Sequence, residues 1–314
     1  MRTVPACLTC ILGDVHAAAR QVACDEATAL AVARDAMTFL GESFGYEREP
    51  SYYITQVHRI LKQDTGVPVP FAESRRALNR IAVALAGELR EEAGRLAGPE
   101  RLCLLARWAL AGNSLDSRTV GIGYDFSPEK TRQHLAGYLE RGLAIDHLDR
   151  LVERVTARPD ILYIHDNVGE IALDALLIEA LRAAGCRVTS ALRGGPITSD
   201  ATLEDGLAVG LDRAADRLIL AGPDTLGISW EEMSDDLGAA IRTHPLIVAK
   251  GQANYYVLSE HRDEIPGEVF CLFTIKCQPV ADVLGIQPRQ AVGIFLERPQ
   301  RKEAGRPGET RAWS

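Results

Sequence analysis

A chain of 314 residues with 46% hydrophobic and 25% charged residues is long enough to bury a sizeable core and too apolar to stay disordered. A formal net charge of −8 argues against a surface built to attract nucleic acid or anionic lipid, and no run of ~18 apolar residues offers a membrane span. The start, MRTVPACLTC, lacks the apolar core of a secretion signal, and seven scattered cysteines suit reduced thiols, so the expected location is the cytoplasm.

From about Ile11 to Arg158 the apolar residues recur at helical spacing. Cys7 and Cys10 precede this half with metal-ligand spacing. Cys271 and Cys277 are too far apart to repeat the motif, and His16 is the nearest imidazole, so no complete zinc site is spelled out. A redox C-x-x-C opens a helix after a strand, and no strand pattern precedes this one. DEATALAVARDAMTFLGE predicts a helix with Asp25 and Glu26 at its start and Gly41 after its apolar stripe. FAESRRALNRIAVALAGELREEAG predicts another, with alternating charges on an outer face. RLCLLARWALAG predicts a third, terminated by Gly112. The AGNSLDSRT stretch that follows carries Asn113 and Asp116. A cap and turn would explain both; if the loop reaches a cleft, Asn113 can hold substrate oxygens and Asp116 can position them. DFSPEKTRQHLAGYLERG predicts a helix with Ser127 as N-cap and Pro128 in the first turn.

The period changes after residue 158. Short β-rich runs, ILYIHD, CRVTSALRG, RLILAG, LIVAKG, VFCLFTIK and AVGIFLE, alternate with helical patterns such as GEIALDALLIEALRAAG. Continuous apolar strands separated by helices predict an α/β fold with a mostly parallel sheet covered on both faces. The reading divides the chain into a mainly helical subdomain (1–158), a sheet subdomain (159–298) and a charged, Gly- and Pro-rich tail (299–314) with the composition of a disordered segment.

Ligands of parallel sheets bind beyond the carboxyl ends of the strands. Those ends carry Asp166 and Asn167 after ILYI, Asp200 after CRVTSALRG, and Lys250 with Asn254 after LIVA. Two carboxylates and an amide without cysteine or histidine suit a hard divalent cation such as Mg²⁺ or Mn²⁺. Neighbouring strand residues face opposite ways, so Asp166 and Asn167 can share a cation only where the chain has begun to turn, which Gly169 permits. Lys250 and the helix start near Gly169 both suit a phosphate. Each residue alone also has an ordinary explanation: Asp166–Asn167 or Asp200 as helix caps, Lys250 as a solvated cation. Their joint occurrence at three strand ends favours the site. Glu170, heading a helix one turn before Asp174, supports the ligands without being one. No G-x-x-x-x-G-K-[ST] loop or G-x-S-x-G elbow is present, and GIGYDF lacks the third glycine and the context of a dinucleotide fingerprint.

The ordered set GNSLD, DNVGE, GGPITSDAT and VAKGQAN, with CLTC before it and FTIKCQPVADVLGI after it, resembles the damage-control phosphatase family, long catalogued as domain of unknown function eighty-nine. The resemblance spans Cys7 to Leu296, and the cysteine pair looks like that of the prokaryotic branch. It implies a helical subdomain beside a Rossmann-like one and metal-dependent hydrolysis of small phosphorylated metabolites, sugar phosphates or damaged phosphorylated cofactors. It also implies Asp166, Asn167 and Asp200 as metal ligands, Lys250 on phosphate, and Asn113 at the site. Mg²⁺ or Mn²⁺ is the expected metal, with Co²⁺ or Ni²⁺ as further options. Asp166 or Asp200 would take the proton of the attacking water, and Asn113, Asp116, Lys250 and Asn254 would contact substrate. Two departures touch the pocket: Thr243-His244-Pro245 replaces a usual Ala-Asp pair, and Tyr255-Tyr256 follows Asn254 where an aromatic residue and a glutamate are common. No nucleic-acid or membrane partner is expected, and the sequence names no partner protein. The rival expectations are an S-adenosylmethionine-dependent carboxyl methyltransferase and a non-enzymatic metal or metabolite sensor using Cys7 and Cys10.

Overall fold

The computed structural model describes residues 1–115 and 128–298. Asp116, Ser127 and the tail lie outside the described residues.

The sheet alternates as its apolar runs require. On β2 (Asp160–Ile164), Ile161 and Tyr163 join the core on one face, and Leu162 and Ile164 join the core on the other. With β1 (Leu143–Asp146), β3 (Arg187–Leu192), β4 (Arg217–Leu220), β5 (Leu246–Lys250), β6 (Glu268–Thr274) and β7 (Ala291–Phe295) it forms one seven-stranded sheet in the order β1-β7-β6-β5-β2-β3-β4. Strands β2 to β6 are mutually parallel. β7 runs antiparallel to β6, and β1 pairs parallel with β7. The six β-rich runs read from the sequence are all strands. β1 is an addition from the segment with helical periodicity, a short edge strand whose residues alternate between half-buried and exposed.

Order along the sheet decides where a site can lie. From β2 the chain moves outward through β3 to β4. From β5 it moves the other way to β6. The strand order therefore reverses between β2 and β5, and such a reversal opens a crevice at the carboxyl ends. The three strands that meet there end in register, with Ile164 paired to both Ala191 and Ala249.

One face of the sheet is covered by α4 (Ala72–Ala93), α5 (Gly98–Gly112), α6 (Pro128–Glu140), α7 (Leu148–Thr156) and α8 (Glu170–Ala183). α8 is buried nearly all round between the sheet and helices α4 and α5, which explains why apolar residues lie on every side of it. After β3 come two short helices, α9 (Leu203–Ala208) and α10 (Leu211–Ala214). The other face is covered by α11 (Asp235–Thr243), α12 (Gln252–Glu260) and α13 (Gln278–Leu284).

The first three helices, α1 (Ala6–Val22), α2 (Glu26–Ser43) and α3 (Pro50–Thr65), share a separate core of Ile11, Val15, Val32, Leu40, Val57 and Leu61. Asp25 caps α2 by accepting from Thr28 N at 2.7 Å, as its sequence suggested; the helix runs through Gly41 to Ser43. The unit docks over the strand-end loops through α3. Arg59 bridges Asp224 and Glu232, Lys62 binds Asp224 at 2.5 Å, and Thr55 Oγ1 accepts from Leu226 N at 3.0 Å. No helix among the described residues is long and apolar enough to cross a membrane.

Candidate active site

Backbone pairing beyond the strand ends brings the sequence-selected residues together. After β3 the chain turns at Thr198 and comes back against the extension of β2. Asp166 O accepts from Ala201 N at 2.7 Å, Val168 N donates to Ser199 O at 2.9 Å, and Asn167 bridges Asp200 in antiparallel fashion. Asp200 is thereby fixed beside the Asp166–Asn167 pair. Neither is a helix cap: Thr202 caps α9 in a reciprocal box with Asp205, and Gly169 occupies the N-cap of α8.

The returning turn contains local strain. Thr198 is β-branched yet has φ of 44°, a conformation that persists only where surroundings enforce it. Arg75 of α4 supplies that enforcement, donating to the carbonyls of Thr198 and Asp200 at 2.9 Å each and pairing with Asp205. One turn along, Asn79 donates to Asp205 at 3.0 Å and accepts from Gly169 N at 2.7 Å. Helix α4 therefore holds both loops that carry the candidate ligands. Sequence reading placed the charges of α4 on an outer face; Arg75 and Asn79 are buried.

A cavity of about 260 Å³ lies under the strand ends, and Asp166, Asn167 and Asp200 all line it. Asp166 Oδ2 accepts from Asn113 Nδ2 at 3.0 Å and Asn167 Nδ2 at 2.6 Å. Asp200 Oδ2 accepts from Arg193 Nε at 3.1 Å and Gly227 N at 2.7 Å. Asn167 Oδ1 accepts from Ser199 Oγ at 2.7 Å. Gly251, at φ of 81°, lies against the Asp166 carboxylate so closely that any Cβ there would overlap it.

Three expected contacts are arranged differently. Lys250 does not line the cavity. It is fully buried and gives its ammonium hydrogens to Ala109 O at 2.8 Å, Glu170 Oε1 at 2.5 Å and Asp174 Oδ1 at 2.6 Å, because two carboxylates buried behind the ligands need a cation more than the open cleft does. Asn254 is also enclosed, donating to the carbonyls of His165 and Lys250 and accepting from Ile228 N at 2.8 Å, so it ties the ends of β2 and β5 together. Asn113 orients Asp166 and Glu170 while its Oδ1 accepts from Thr274 N at 3.0 Å. The start of α8 does not offer its N–H groups to an anion either. Gly169 N donates to Asn79 Oδ1, Ile171 N to Asn167 O and Ala172 N to Gly169 O.

Behind the ligands the ionisable groups settle one another. Burial alone would push Asp174 up, but Lys250 and His165 outweigh it and hold the carboxyl below its ordinary value. Glu170 moves the other way, because burial and the nearby Asp174 exceed the pull of Lys250. Burial would lower Lys250, and Asp174 with Glu170 reverses that. His165, buried and bonded to Asp174 at 2.9 Å, is lowered by desolvation and so favours the neutral ring.

The donor chemistry fits a hard divalent cation. The groups that the strand ends bring to the cavity are two carboxylates and an amide, and among the described residues Lys250 pairs with Glu170 and Asp174 and Arg193 with Asp200. No group of three His, Cys, Asp or Glu side chains with metal-holding geometry occurs among the described residues, so the fit rests on including the Asn167 amide.

The cavity has further walls that sequence reading did not assign to it. Lys276 lines it from the end of β6, with Gln252 and Ala253 from the first turn of α12, whose leading N–H groups have no intrahelical partner. Following the strand-end argument to VFCLFTIK would have found Lys276, since β6 is parallel to β5. Cys7, Cys10 and Asp14 enter from α1, and Cys277 adjoins them.

Comparisons with known proteins converge on one group. The profile of the damage-control phosphatase ARMT1-like domain matches residues 3–292. A protein of Archaeoglobus fulgidus named damage-control phosphatase is 31% identical over 301 residues, covering 95% of this chain and 100% of its own. A damage-control phosphatase of Pyrococcus horikoshii is 36% identical over 184 residues, 58% of this chain and 61% of that one. A crystal structure of a DUF89 family protein from Pyrococcus horikoshii superimposes with a TM-score of 0.84 at 28% identity, covering 95% of this chain and all of that one.

Proposed function

The chain belongs to the damage-control phosphatase ARMT1-like family, and from that premise we propose that it hydrolyses phosphomonoesters of small metabolites with a divalent metal ion. The observation that carries the reading is the convergence of Asp166, Asn167 and Asp200 on one cavity at the strand-order reversal of the sheet.

Asp166, Asn167 and Asp200 would hold the cation, which supplies a Lewis acid for a phosphoryl oxygen and an acidified water. Lys276 and the first two residues of α12 line the same cavity, and the ammonium with the leading N–H groups of the helix would take the remaining phosphoryl charge, where most catalysis of this reaction originates. Asp200 is held through Oδ2 by Arg193 and Gly227, while among the described residues Oδ1 meets Thr198 Oγ1 alone, at 3.3 Å. We assign Oδ1 the proton of the attacking water. Asn113 fixes the Asp166 rotamer, and Lys250 neutralises Glu170 and Asp174 so that the ligands are not repelled from behind. Substrates of the class would be sugar phosphates or damaged phosphorylated cofactors. Family membership favours hydrolysis over methyl transfer and over a non-enzymatic sensor.

The test is turnover on a panel of phosphorylated metabolites by metal-stripped protein restored with Mg²⁺, Mn²⁺, Co²⁺ or Ni²⁺. Metal-restored phosphate release is expected, and full activity in chelator would overturn the reading.

A further inference from the structure

Ser199, which donates to Asn167, also lines a second cavity of about 360 Å³. This cavity shares Cys10 and Asp14 with the first, so the two abut across α1 and the Ser199 turn. Its walls are apolar at Ala17, Phe71, Leu78 and Val168, and it includes His58. Only 1% of His58 is exposed, its Nε2 meets Asp14 Oδ2 at 2.7 Å, and its Nδ1 is buried without a hydrogen-bond partner.

The chemistry of that ring follows from its neighbour. An ionised Asp14 has no hydrogen to give, so Nε2 is the donor, and in the neutral ring Nδ1 is an acceptor. A buried acceptor without a donor is costly, and native proteins seldom keep one without a use. Arg75 is engaged on the Thr198 and Asp200 carbonyls and Ser199 donates to Asn167, so neither gives it a hydrogen in this structure.

We infer that the second cavity is the subsite for the organic part of the phosphate ester. His58 Nδ1 accepts a hydrogen bond there from a hydroxyl or N–H of the substrate, and Phe71 and Leu78 cover an apolar face of it. The inference rests on the phosphatase reading and names the group that reading leaves open: an ester whose organic part carries a hydrogen-bond donor. Asp14 acts through His58 by fixing its tautomer, and neither residue touches the reacting phosphoryl group.

The experiment compares kcat/KM for hexose and polyol monophosphates with that for phenyl phosphate, whose organic part carries no hydrogen-bond donor. In His58→Phe the ratio of the first to the second should fall about 10- to 100-fold, chiefly through KM, and His58→Asn, which can place an oxygen near Nδ1, should restore part of it. Ala17→Phe is a second variant on an exposed helix position; it fills the cavity without disturbing a core and should shift the ratio in the same direction. An unchanged ratio in both His58→Phe and Ala17→Phe would overturn the inference, as would an equal loss on both substrate types. A wild-type protein that releases phosphate from neither substrate would instead overturn the phosphatase reading beneath it.

Discussion

Two layers of polar residues sit at the same end of the sheet and obey different rules. The outer layer, Asp166, Asn167 and Asp200, lines the cavity. The inner layer, Glu170, Asp174, Lys250 and Asn254, is fully enclosed and bonded to itself and to backbone carbonyls. Both layers consist of residue types that suit catalysis. What separates them is exposure to the cleft, and hence whether removing a side chain should cost activity or stability.

The largest effect expected is at the outer layer. Asp166→Ala should lower kcat by about 10³-fold or more while leaving the thermal midpoint close to wild type, because the side chain lines the cavity and not the apolar core. Circular dichroism melts beside turnover check it; near wild-type kcat would remove Asp166 from the mechanism. Next comes the inner layer. Lys250→Met strands Glu170 and Asp174 without their cation and should destabilise the fold by about 3–5 kcal/mol in denaturant titration. A phosphate-contacting lysine would instead raise KM with stability unchanged, and that outcome would reverse its assignment to the inner layer.

Arg75→Ala should lower stability by about 1–3 kcal/mol and reduce metal affinity, since the strained Thr198 turn and Asp205 lose their shared donor. Unaltered metal binding would show that the turn holds itself. Lys276→Ala should raise KM for a phosphomonoester about 10-fold without moving the thermal midpoint. The smallest effect concerns thiols: burial raises Cys271 and Cys186, the latter to about 11, so both should resist a thiol reagent in the native protein while exposed Cys10 and Cys24 react. Fast native labelling of Cys271 would contradict the packing of β6.

The strands were legible because an apolar run bounded by turn residues has little else to become in a parallel sheet. β1 was not, since LAID is four residues long and sits at an edge. Asp166, Asn167 and Asp200 were placed near one another by strand-end logic alone. Which way Lys250 and Asn254 face was not legible, because it depends on the turn at Gly251 and on the burial of Glu170 and Asp174, which sequence spacing does not encode. The roles of Arg75 and Asn79 were hidden for a related reason. Their helix docks on loops far along the chain, and a local charge pattern cannot report a partner more than 100 residues away.

The central claim is that the outer layer holds a divalent cation. Anomalous diffraction from crystals soaked in Mn²⁺ tests it most directly. One peak is expected within about 2.0–2.6 Å of oxygens of Asp166, Asn167 and Asp200, absent in Asp166→Ala crystals. A peak elsewhere, or none at those oxygens in protein that still turns over with Mn²⁺, would contradict the account.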